Sequence, residues 1–149
     1  MTKKDYDEKR LQLGKYRLLM AKLERRTEET RRWENIAYGC STSVYDPAKP
    51  GRSSVRSGTE NGTALDMVNQ LKKESEDISS KASVLRMRLQ SCIDQLPDNR
   101  HRDVLEAMYI NGYQTTTLVS KLDRSPKTVG RLLRKATEEL ATLTDYFNN

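Results

Sequence analysis

Val68, Leu71, Ser75, Ile78, Ala82, Leu85, Leu89, Cys92 and Leu96 recur at alternating spacings of three and four. That spacing is the seam of an amphipathic helix, and it predicts one from about Thr63 to Gln95. Leu13, Tyr16, Met20, Leu23, Thr27 and Thr30 repeat the alternation inside residues 4–38, fading into Thr. Trp33, Ile36 and Tyr38 close this first segment, and Gly39 follows as a C-cap. So narrow a stripe on the second helix needs a partner, because alone it leaves Leu and Ile in water. Either the first helix folds back as an antiparallel hairpin or two chains pair. The fold-back is expected, with homo-oligomerisation through the N-terminal helices left open.

Between these helices the pattern stops. Residues 39–62, "GCSTSVYDPAKPGRSSVRSGTENG", hold four Gly, two Pro and many Ser and Thr. Such a stretch is expected to be a flexible linker. Pro97 ends the second helix, since it restricts the residue before it and cannot continue the hydrogen-bond ladder. Asp98 then caps a helix whose His101, Val104, Leu105 and Met108 form one face up to Asn111-Gly112. A short helix, roughly Thr116–Leu122, is expected to bury Leu118, Val119 and Leu122. Asp123-Arg124 turns the chain, Ser125 caps and Pro126 opens the next helix at N1. That helix is expected to bury Val129, Leu132, Leu133, Ala136, Leu140 and Leu143. Two short helices joined by a tight turn are a helix-turn-helix unit, whose second helix enters a DNA major groove. The expected fold is thus all-α: a long helix over 1–38, a linker over 39–62, a pairing helix over 63–95, and a helix-turn-helix domain over 96–149.

Charge sharpens this picture. The chain carries a net +6, yet residues 96–149 hold eight basic and seven acidic residues and are nearly neutral. Within them Lys121, Arg124, Lys127, Arg131, Arg134 and Lys135 gather, opposed locally by Asp123 alone. They fall on the turn and on the first turns of the second helix, where a nucleic-acid surface is expected. Cysteine adds nothing: Cys40 and Cys92 with one His fall short of a zinc site or a disulfide framework. No apolar run reaches the roughly 18–20 residues of a membrane span, and "MTKKDYDEKR" lacks the apolar core of a secretory signal. A cytoplasmic protein of a bacterial host cell is expected. No phosphate-cradling glycine loop, metal cluster or paired nucleophile is present, so neither an enzyme nor a bound cofactor is expected.

"LPDNRHRDVLEAMYINGYQTTTLVSKLDRSPKTVGRLLRKATEEL", residues 96–140, resembles region 4 of bacterial sigma factors. The likeness rests on the Leu-Pro start, Val104-Leu105, Tyr109, Gly112, Leu118, Leu122, Ser125, Thr128-Val129, Ala136 and Leu140. The order of a long helix, a linker, a heptad helix and this module resembles the ArpU-like or RinA-like late transcription regulators of Gram-positive phages and prophages. The sigma resemblance departs at Gln114, Val119, Arg124 and Gly130. It implies that Pro126, Lys127, Gly130 and Arg131 face the groove. Lys127 and Arg131 are then the base-edge readers, because Arg pairs bidentately with guanine O6 and N7 and Lys reaches the same atoms. Lys121, Arg124, Ser125, Thr128, Arg134 and Lys135 are placed for phosphates. The resemblance also implies contact with the β-subunit flap of RNA polymerase.

A sequence-specific transcriptional regulator is therefore the first expectation. A DNA-packaging protein of the small-terminase kind also combines a helix-turn-helix with helical oligomerisation segments. A helical adaptor that no longer binds DNA is the third alternative.

Overall fold

The structure, a computed structural model, describes the backbone of residues 1–39 and 50–148, and side chains of 1–39 and 62–148. The described residues are all-helical, without strands. Helix α1 spans Lys3–Leu13, α2 Lys15–Tyr38, α3 Pro50–Asp94, α4 Asn99–Leu105, α5 Thr115–Leu122 and α6 Pro126–Leu143. A single π-helical turn, Glu106–Ile110, continues α4, and a 3₁₀ turn, Tyr146–Asn148, follows α6.

The expected first helix is thus two, separated at Gly14. Its φ of −74° and ψ of −9° flatten one turn while the Leu18 amide still bonds the Gly14 carbonyl at 3.0 Å. Glycine's missing side chain leaves least to hold that turn helical. Gly39, at φ +61°, follows Tyr38 as the left-handed cap that ends α2.

The expected linker is corrected in its second half, because α3 starts at Pro50 and not at Thr63. Pro50 suits a first helical position, and from there to Gly62 no further proline intervenes. The glycines lower helix propensity without forbidding the conformation. Residues 40–49 of the expected linker lie outside the described residues.

The chain divides into two compact units, residues 1–19 with 81–149, and residues 20–80. The division falls inside the long helices, not at Leu96, where the sequence pattern put it. In the 20–80 unit, α2 and α3 run antiparallel. Arg26 Nε meets Glu74 Oε2 at 3.3 Å, Glu34 meets Lys72 Nζ at 3.2 Å, and Ala37 is buried with Ala64 and Val68 beside Trp33. Thr27 is exposed, and the seam passes through Arg26 and Thr30 instead.

The larger unit holds the main core. Leu13 of α1 shares it with Leu89 and Ile93 of α3, with Leu96 in the connection that follows, with Val104 and Leu105 of α4, and with Val129 and Leu140 of α6. Asp98 caps α4 by accepting from the Arg100 amide at 2.9 Å. That bond holds the Asp98 carboxyl below the usual range, assisted by the Arg100 guanidinium and by His101. The π turn admits one extra residue, and the adjacent Tyr109 and Ile110 are both buried there. Leu143 is 51% exposed, contrary to expectation, and the 3₁₀ turn brings Tyr146 into the core instead.

Candidate nucleic-acid interface

The α5–α6 corner is built from local chemistry. Helix α5 begins at Thr115, with Gln114 as an N-cap whose side chain makes no capping bond. Leu118 anchors the helix in the core, with Val119 half-buried beside it. Asp123 takes the left-handed conformation, φ 50° and ψ 46°, and the Arg124 amide bonds back to the Val119 carbonyl at 3.3 Å. Asp is among the few residues besides Gly that accept this geometry, and it ends the helix in a tight turn. Leu122, one residue before that reversal, is left 38% exposed rather than buried.

Ser125 opens α6. Its Oγ accepts from the Thr128 amide at 3.2 Å and lies 2.8 Å from Thr128 Oγ1, and Pro126 occupies the first turn. From there α6 divides sharply by face. Val129, Leu133, Ala136 and Leu140 are buried, and the buried Thr137 hydroxyl donates to the Leu133 carbonyl at 2.8 Å. Pro126, Lys127, Gly130 and Arg131, the expected groove-facing set, are all exposed, and so are Lys121, Arg124, Ser125, Thr128, Arg134 and Lys135. The expected site residues therefore share one accessible surface around the turn and the start of α6.

Their side chains are not equally available. Lys121 Nζ sits 3.9 Å from the Tyr113 ring centroid, a cation–π contact. Arg134 donates to the Met1 carbonyl at 2.6 Å and stands 5.9 Å from the Tyr6 ring centroid, which ties it to α1. Among the described residues no ion pair engages Arg124, Lys127, Arg131 or Lys135.

The fold adds one basic residue that the sequence pattern did not single out. Arg100, on the first turn of α4, lines a cleft of about 370 Å³ with His101, Thr128, Arg131 and Lys135. Only folding brings α4 against α6, so no spacing along the chain could have revealed it. His101 Nδ1 meets Glu139 of α6, and Nε2 lies 3.8 Å from Asp98 Oδ2. The His101–Glu139 contact ties α4 to α6 at the cleft. Among the described residues no group of His, Cys, Asp or Glu is arranged to hold a metal ion. None of the described helices is long and apolar enough to cross a membrane. The surface offers cations, hydroxyls and a proline-led helix start, a chemistry suited to holding phosphates and touching base edges.

The family model described as "Protein of unknown function (DUF1492)" matches residues 51–141, more than half of the chain. The chain belongs to this family. The matched span runs from the second residue of α3 to Ala141 in α6. Comparison with curated proteins and with solved structures finds no match.

Proposed function

We propose that this protein is a sequence-specific DNA-binding transcriptional regulator of phage or prophage genes, acting in the cytoplasm of the bacterial host. In this reading α5, the Asp123 turn and α6 form a sigma region 4-like helix-turn-helix, and α6 enters the major groove. One observation carries the reading. The outer face of α6 is accessible and basic over its first turns, while its inner face is locked into the core directly after a capped, left-handed turn. Lys127 and Arg131 lie four residues apart on that outer face and read base edges. Arg124, Ser125, Thr128 and Lys135 grip phosphates and set the register. The resemblance to sigma region 4 extends the reading to a contact with the β-subunit flap of RNA polymerase.

The test is a salt titration of wild type, Arg131→Ala and Lys135→Ala on a duplex selected from a random pool and on its scrambled counterpart. Lys135 serves as the phosphate probe, because Arg134, the other α6 candidate near it, is already bonded to Met1. Arg131→Ala is expected to cost about 1–3 kcal/mol on the selected site and little on scrambled DNA. Lys135→Ala is expected to weaken both alike and to lower the salt slope by about one unit. Equal losses from Arg131→Ala on both duplexes would remove its base-reading role. A wild type without salt-sensitive affinity would leave a helical adaptor.

A further inference from the structure

The sequence pattern gave α1 no part in recognition, yet the fold docks it on α6. The contact falls on the outer edge of α6. Arg134 reaches the Met1 carbonyl at 2.6 Å, and both Arg134 and Arg10 face the Tyr6 ring, at 5.9 and 5.6 Å from its centroid. Lys3 and Lys4 begin α1 and are both exposed. Consecutive Cα atoms are about 3.8 Å apart, so the Lys3 backbone lies within about 8 Å of Met1 and hence close to Arg134.

Two lysines in a first helical turn run against the helix dipole, which favours acidic residues there. Among the described residues neither lysine is held in an ion pair. Asp5 is committed to the capping box, accepting from the Thr2 hydroxyl at 2.6 Å and the Thr2 amide at 3.2 Å. Asp7 and Glu8 stand four residues from Lys3 and Lys4, yet among the described residues neither forms an ion pair with them. On α6, Glu138 lies 3.9 Å from the Met1 nitrogen. Two exposed, unpaired lysines of α1 thus stand next to Arg134 of α6, a placement complementary to a polyanion.

We infer that the first turn of α1 is a second DNA-backbone contact, in which Lys3 and Lys4 hold phosphates of the duplex that α6 reads. This rests on the DNA-reading function proposed above. The Arg134–Met1 bond then serves recognition indirectly, by fixing the α1 lysines beside the reading helix. Phosphate contacts carry no sequence information, so Lys3 and Lys4 add affinity without specificity.

The experiment compares the full-length wild type with Lys3→Ala/Lys4→Ala by fluorescence anisotropy on the selected and scrambled duplexes over a range of salt. Lys72→Ala/Lys73→Ala, which removes the same net charge from α3, is the control, and circular dichroism confirms that each variant is folded. The expected result is a salt slope lower by about two units for the Lys3/Lys4 variant, at about 0.9 per phosphate, with an unchanged ratio of selected to scrambled affinity. The control should keep nearly the wild-type slope. If wild type binds DNA and the Lys3/Lys4 variant matches it, or the control falls as far, this inference is overturned and the reading by α6 stands. If wild type shows no salt-sensitive binding, both fall together.

Discussion

Two glycines, eighteen positions apart in the chain, make opposite demands on their residue type. Gly112 follows the π turn at φ +77°, and a Cβ there would press on the Arg17 guanidinium, which donates to the Ile110 carbonyl at 3.4 Å. The side chain of Arg17 can swing away, but the positive φ remains, so Gly112→Ala should cost about 1–2 kcal/mol in urea denaturation. Gly130 has open space around its Cβ direction and an ordinary helical backbone. Gly130→Ala should therefore gain about 0.5–1 kcal/mol. If its affinity for the selected duplex drops while stability rises, the glycine serves close approach to DNA. Tyr109 makes a third demand at this scale. Burial pushes its phenol up to about 12, with Tyr6 acting in the same direction and Arg10 against it. The folded state thus holds this proton more tightly than an unfolded tyrosine near 10. The linked stability is complete below about pH 10 and is lost as pH rises through about 12. Denaturation across that window should show a shallower alkaline loss for Tyr109→Phe. Burial moves Tyr6 and Tyr146 the same way, so part of the loss should persist. An unchanged alkaline limb would place the effect elsewhere.

Individual helices were legible where periodicity was strong. Val68, Leu71, Ile78, Ala82, Leu89, Cys92 and Leu96 are all buried, and Ser75 and Leu85 are half-buried. The Ser125-Pro126 start of α6 stood out equally well, because capping chemistry is local. What escaped was set by surroundings or by weak preferences. Pro50 starts α3 within a glycine- and serine-rich stretch whose composition reads as loop. Leu122 and Leu143 fit the helical period but sit at ends where the chain leaves the core. The π turn has no sequence signature at all, since it comes from packing both Tyr109 and Ile110 inward. The candidate site was legible in its exposed cations. The engagement of Lys121 with Tyr113, of Arg134 with Met1, and of Arg100 with the α6 cleft depends on tertiary neighbours.

For the whole molecule, the C-terminal module is not self-contained. Val104, Leu105, Val129 and Leu140 share one core with Leu13, Leu89, Cys92 and Ile93. A fragment of residues 96–149 would expose that shared surface. It should lack dispersed amide signals and a cooperative melt, whereas the full chain should show both. A fragment that folds cooperatively would show that the N-terminal helices only decorate the module. The same arrangement fixes how the protein can assemble. The larger unit is made of two separated pieces of chain, and 20–80 lies between them in sequence. Bringing Leu13 and Leu89 into one core closes a long loop, whose entropic cost must be met before the core's contacts reward it. The antiparallel pairing of α2 with α3 consumes that loop turn by turn. Each closure along the hairpin leaves less free chain for the next. In kinetic terms the 20–80 segment is a zipper, turning the most distant encounter in the sequence into a succession of short ones.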